Sequence, residues 1–284
     1  MWLWLSLGSA CLLGVYDIAK KQALKKNGVL EVLLGATALS AVFLSPFLTA
    51  GPLADHLKLI FKAIIVSASW ISGLAALNYL PITTASTLKA SRPMLVVLFS
   101  IILFGERLNI WQWGGVVLVI AALFLLSRSS KSEGIKFSSN KGILYMVISI
   151  LTGSGSALYD KHILMSLEPL FVQSWANIYI TVVLALCILV RNLSAPQKRV
   201  KFKWDWAIVL IAVFISISDC MYFYAVDNPD ALLSVISLIR RCSVIITFAL
   251  GAVLFKEHNI RSKALSLGIL LVGMTLLLLG SSIS

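Results

Sequence analysis

The stretch Ala90–Leu126 reads ASRPMLVVLFSIILFGERLNIWQWGGVVLVIAALFLL, two apolar runs on either side of a short polar turn, FGERLN at 104–109. Extended back to Ile82, the first run covers 82–104; the second covers 110–127. A helix needs about 20 residues to cross the hydrocarbon of a bilayer, with a range of about 17–25. The pair therefore reads as two membrane-spanning helices joined at one membrane face.

Working outward on the same criterion gives further runs near 2–22, 29–49, 61–80, 142–165, 170–190, 206–225, 231–255 and 263–281. Ten spans result. The runs at 61–80 and 82–104 are separated only by Pro81, which makes them a tight hairpin. Composition agrees: of 284 residues, 59% are hydrophobic and only 13% charged, with a mean hydropathy of +0.95. Soluble domains hold about 45–50% apolar and about 25% charged residues. Lipid is thus the natural solvent, and helices are the way to satisfy every backbone group inside it. MWLWLSLGSACLLG at the start has neither a basic leader nor a clear cleavage box, so it is expected to be a retained first helix. Cys11, Cys187, Cys220 and Cys242 all fall in apolar runs without CxxC or Cys/His spacing and read as packing residues.

The two halves repeat. GVYDIAKK at 14–21 resembles ALYDKHIL at 157–164, which aligns Tyr16-Asp17 with Tyr159-Asp160. LFGERLN at 103–109 resembles LFKEHNI at 254–260, aligning Glu106 with Glu257 and, carried back, Lys89 with Arg240. Five spans per half is odd, so the second half enters the bilayer from the opposite face. The expectation is an all-α integral membrane protein of ten transmembrane helices in two inverted five-helix repeats. The repeats occupy 1–127 and 142–284, and a basic linker loop spans 128–141. Inverted repeats are common among secondary transporters, which hold substrate near the midplane between the halves.

The net charge of +12 would suggest nucleic acid in a soluble protein; here the cations gather between spans and suggest topology instead. Loops after spans 1, 5, 7 and 9 hold Lys20, Lys21, Lys25, Lys26, Arg128, Lys131, Lys136, Lys141, Arg191, Lys198, Arg199, Lys201, Lys203, Lys256, Arg261 and Lys263. Only Lys58, Lys62 and Arg107 lie on the other side. Cytoplasmic loops collect Lys and Arg, so both termini are expected outside the cytoplasm of a bacterial inner membrane.

The ten spans, the duplication and the FGE/FKE signature closing spans 4 and 9 resemble the drug/metabolite transporter superfamily in its EamA-type branch, over essentially the whole chain. The second copy departs in carrying Val244 where Pro93 stands. The resemblance implies a metabolite exporter or exchanger and leaves the substrate open. IRR at 239–241 also resembles the basic pair with which sugar-phosphate translocators hold phosphate in their ninth helix.

Lys89, Arg92, Lys161, Arg240 and Arg241 fall inside predicted spans. A charge at a helix centre costs about 2.5–3.5 kcal/mol on insertion scales and must face a partner or a water-filled cavity. Lys89, Arg92, Arg240 and Arg241 would surround a midplane cavity with positive potential, where guanidinium forks suit phosphate or carboxylate oxygens. Tyr16, Tyr159, Asn78 and Tyr222 could add polar or aromatic lining. The acids Asp17, Asp160 and Asp219, with His162, are candidates for coupling or gating; the alternative is that they simply neutralise the cations. Glu106 and Glu257 read as residues that fix a membrane-edge turn.

The function expected is secondary-active transport of a small organic metabolite by alternating access, favouring an organic anion, phosphorylated anions included. Two alternatives stand: export of amino acids or other amphipathic metabolites, with structural cations, or flipping of a phosphorylated lipid carrier. No catalytic or metal-ligand spacing appears, so neither enzyme activity nor a metal or cofactor is expected. The partners expected are a small-molecule substrate and the lipid bilayer, without nucleic acid, in a monomer or homodimer.

Overall fold

The structure is a computed structural model that describes residues 2–92, 94–95, 109–131, 134–164, 166–194, 197, 200–226, 239–240, 242–257 and 259–283. Their secondary structure is helical, in ten helices. The first half carries α1 (Trp2–Ala23), α2 (Val29–Leu44), α3 (Leu53–Ala76), α4 (Ile82–Ala90) and α5 (Ile110–Lys131). The second carries α6 (Lys141–Ile163), α7 (Pro169–Ser194), α8 (Trp206–Val226), α9 (Ser243–Leu254) and α10 (Ile260–Ile283). A 3₁₀ turn, Ser45–Phe47, extends α2. Among the described residues, six helices, α1, α2, α3, α5, α7 and α10, hold stretches long and apolar enough to cross a membrane on their own.

Helix bounds differ from the spans read off hydropathy where polar residues ride on helical backbone. Helix α3 begins at Leu53, ahead of the expected 61, because its first two turns carry Asp55, His56 and Lys58. These residues depress hydropathy without breaking the helix. For the same reason α7 runs on through Arg191 to Ser194.

Helix α4 stops at Ala90. Ser91 is a turn and Arg92 is helical again. In sequence Pro93 follows, and a proline supplies no N–H for the carbonyl four residues earlier, here Lys89. The second half breaks at the matching place: Ile239 and Arg240 are helical, Cys242 is a turn, and α9 starts at Ser243. Val244 stands there instead of proline, so the break belongs to the fold and proline only reinforces it. Broken helices at membrane depth are tolerated where protein or a cavity surrounds them.

Helix α1 packs on α8 and α9, and α6 correspondingly on α3 and α4. Likewise α2 packs on α7 and α8, α7 on α3, α4 on α9 and α5 on α10. Exchanging each helix for the one five places along returns this same set, as a two-fold relation between the halves requires. The α5–α10 seam is a close backbone approach: a Cβ on Gly115 would meet the Gly273 carbonyl at 2.6 Å. Small residues let membrane helices come this near.

Two reciprocal serine clasps pin equivalent seams. Between α1 and α8, Ser9 Oγ donates to Ser218 O at 2.9 Å and Ser218 Oγ to Ser9 O at 3.0 Å. Between α3 and α6, Ser69 Oγ donates to Ser149 O at 2.8 Å and Ser149 Oγ to Ser69 O at 2.7 Å. Outward, large apolar side chains such as Phe124, Leu193 and Val253 are exposed, the face that lipid covers. All four cysteines are free.

Candidate functional site

Inside the first half's packing partners lies a cavity of about 190 Å³. Helix α1 supplies Tyr16, Asp17 and Lys20; α3 supplies Ser69 and Trp70; α4 and the helical residue beyond it supply Ser86, Lys89 and Arg92; α6 supplies Ser149. Tyr16 and Lys20 are four apart on one helix face, and Lys89 and Arg92 three apart. Three cations and one carboxylate therefore line the same space.

Asp17 takes Lys89, not the neighbouring Lys20. Lys89 Nζ stands 3.1 Å from Asp17 Oδ1 and 3.3 Å from Oδ2. Lys89 keeps 40% of its side chain accessible even so, which leaves its amine open to the cavity. Lys20 is buried, with Nζ 3.9 Å above the Tyr16 ring and 5.9 Å from the Trp70 ring. Among the described residues no carboxylate lies within ion-pair distance of it.

Arg92 rests on the second serine clasp. Its Nη2 is 3.5 Å from Ser69 Oγ and 3.4 Å from Ser149 O, long contacts that restrain the guanidinium weakly. Its Nε is buried and unpartnered among the described residues. Gly153 makes the approach possible, because a Cβ there would run into the Arg92 guanidinium.

The second half handles its cation differently. Arg240 Nε donates to Ser9 Oγ at 3.1 Å, so it sits on the first clasp as Arg92 sits on the second. Arg240 Nη2 also binds Asp219 Oδ1, and its Cζ lies 4.2 Å from the Tyr222 ring. Sequence register aligns Arg240 with Lys89; by surroundings its counterpart is Arg92.

The remaining sequence candidates scatter. Asp160 pairs with Lys62 at 2.6 Å. Tyr159 donates its hydroxyl to Lys58 O at 3.2 Å and packs on Phe61. His162 is exposed, and Asn78 is exposed beyond the end of α3. None of these four lines the cavity. Arg241, Glu106 and the Lys161 side chain lie outside the described residues. What hydropathy reasoning missed was Lys20, taken for a loop cation because it begins the basic cluster Lys20–Lys26. The available signal was its i, i+4 spacing from Tyr16.

Glu257 holds the mouth of the α3–α4 hairpin from across the pseudo-two-fold. Its carboxylate accepts from Ile82 N at 2.6 Å, Thr83 N at 3.1 Å and the Thr83 hydroxyl. Lys263, fully buried, donates to the same Thr83 oxygen at 3.2 Å. At the other side of the turn Lys21 donates to Leu80 O at 3.1 Å and to Leu77 O. Acid on a helix N-terminus and base on a C-terminus both complement the backbone dipoles.

The model of one transporter family, the EamA-like transporters, matches residues 1–128 and again 140–279. The chain belongs to the EamA-like transporter family. It is therefore an integral membrane protein and a membrane transporter of the drug/metabolite type, a family of transporters rather than enzymes. A solved crystal structure with 17% identity matches 99% of this chain and 97% of its own length, with a TM-score of 0.66; at that identity it speaks to the fold alone. No curated protein matches. Within this EamA-like chain, the cavity brings Lys20, Lys89 and Arg92 together beside Asp17.

Proposed function

We propose that the chain is a secondary-active transporter that moves a small organic anion by alternating access through the cavity between α1, α3, α4 and α6. The observation that carries this is the charge of the lining: Lys20, Lys89 and Arg92 against the single carboxylate Asp17. Cations at this depth are expensive unless they face water or an anion, and three of them concentrate positive potential in a small volume. Arg and Lys together match the oxygens of a phosphate or carboxylate.

Asp17 supports a second reading. A carboxylate beside cations also suits the ammonium and carboxylate of an amino acid. The discriminating experiment is thermal stabilisation of the purified protein against organophosphates, carboxylates, neutral amino acids and lipid phosphates. Stabilisation by the anions is expected; preferential stabilisation by neutral amino acids overturns the anion reading.

The cationic loops support an orientation with both termini outside the cytoplasm. Lys20 and Lys263 are buried and drop out of that count, yet the asymmetry survives their removal. A cytoplasmic signal from a reporter fused at Ser284 would refute the orientation.

A further inference from the structure

The sequence places Lys20 among loop cations, and the structure puts it in the cavity wall. Its amine is buried, sits on the Tyr16 ring and faces Trp70. Aromatic faces stabilise a cation without neutralising its charge, whereas Asp17 does neutralise part of Lys89. Arg92 completes the set with an unpartnered buried Nε. The lining thus holds three basic side chains against one carboxylate, and Lys20 and Arg92 are the two without a carboxylate within ion-pair distance among the described residues.

We propose that Lys20, held against Tyr16 and Trp70, is a third substrate-contacting cation whose charge makes the cavity select doubly charged anions over singly charged ones of the same size. This rests on the anion-transport reading above. A monoanion entering the site leaves one cation without a counter-charge in a low-dielectric space, where an unpaired charge is unfavourable. A dianion satisfies Lys20 and Arg92 together and leaves the Lys89–Asp17 pair intact. Without the Lys20 charge that advantage disappears, so the residue sets preference among anions.

The test uses a matched pair of probes on the full-length purified protein. Phenyl phosphate is a dianion when buffered well above its second pKa of ~6; methyl phenyl phosphate, the diester of nearly the same shape, is a monoanion. Apparent affinities come from thermal-shift titrations of the wild-type protein and the Lys20→Gln variant. Wild type should favour the monoester by about tenfold or more, the scale of one charge-assisted contact. Lys20→Gln should lose most of that preference by weakening the monoester alone, and Lys20→Arg should restore it. Equal binding of both probes by wild type, or an unchanged preference in Lys20→Gln, overturns the role of Lys20 and leaves anion transport standing. Stabilisation by neither probe, with stabilisation by neutral amino acids, sinks the anion reading itself.

A measurement on unaltered protein guards against a variant that fails to fold. Bound phenyl phosphate should slow acetylation of Lys20 several-fold, read by mass spectrometry, and leave the exposed Lys26 unaffected. Labelling of Lys20 at the same rate with and without the probe overturns the proposal.

Discussion

Replacing Glu257 by alanine should loosen the α3–α4 hairpin more than any other single change at the membrane edge. The carboxylate accepts from two backbone N–H groups and a hydroxyl, and those donors belong to Ile82 and Thr83, which are 1% and 0% accessible. A hydrogen bond to a charged group contributes about 1.5–3 kcal/mol, and each buried donor left unmatched costs about 1–3 kcal/mol. The three contacts share one acceptor and are not additive. Lys263 donates to the Thr83 oxygen and, having no acceptor, cannot take the Thr83 O–H in place of Glu257. A net loss of about 3–5 kcal/mol follows for Glu257→Ala. At roughly 2–4 °C per kcal/mol, the unfolding midpoint in detergent should fall by about 10 °C. Glu257→Gln keeps an acceptor oxygen but not the charge, and should lose about half as much. The assay is thermal unfolding of both variants beside wild type. A midpoint for Glu257→Ala indistinguishable from wild type would refute the reasoning, since buried α4 donors would then need no acceptor from the second half.

Gly153→Ala should leave the helices folded but push the Arg92 guanidinium off the Ser69–Ser149 clasp, because the new Cβ occupies its place. Phenyl phosphate affinity, read by thermal-shift titration, should then fall by about tenfold, the scale of one charged contact; unchanged affinity would show that Arg92 does not need that position. Asp205 tests the loop ahead of α8. The Ala207 N–H, at 2.9 Å, holds the Asp205 carboxyl below its ordinary range, with Lys26 adding to the effect at 3.1 Å. A depressed carboxyl contributes stability that is present above its ordinary pKa and lost as pH falls toward the folded value. Asp205→Ala should therefore be less stable by about 0.5–2 kcal/mol at neutral pH, and the gap should close as pH drops below 3.8. A gap that persists unchanged into acid would contradict this.

Hydropathy makes the ten helices legible because the bilayer demands one long apolar run per crossing. It reads less well wherever polar side chains ride on helical backbone, hence the early start of α3 at Leu53 and the late end of α7 at Ser194. The internal duplication exposes the two-fold, since FGE and FKE recur at matching places in the sequences of the two halves. Of the site, Lys89, Arg92, Tyr16 and Asp17 could be picked out because charge and hydroxyl groups are conspicuous in an apolar run. Pairing was not legible: which acid meets which base depends on helix rotation. Asp17 thus reaches across to Lys89 on α4 instead of taking Lys20 one turn along its own helix. Lys20 was hidden by its neighbours, because a cation at the start of a basic cluster looks like loop whether or not its helix turns it inward.

The two serine clasps differ in the residue that follows them. With Ser69 matched to Ser218 as equivalent clasp residues, the next residue is Trp70 in α3 and Asp219 in α8. Each clasp carries an arginine, Arg92 on Ser69 and Arg240 on Ser9. In the second half the following residue is the acid that neutralises the arginine. In the first half it is a tryptophan, which cannot, and which instead borders the cavity and faces Lys20. At this one position the halves of the duplicated framework differ, an acid on an arginine in one and a tryptophan beside a cation-lined cavity in the other. A buried charge without a partner is unfavourable, so an anion that supplies the counter-charge to Arg92 and Lys20 would be favoured there. Water can do so partly, and an anionic substrate can do so fully. The asymmetry between Trp70 and Asp219 is therefore the feature that most favours the proposed anion site.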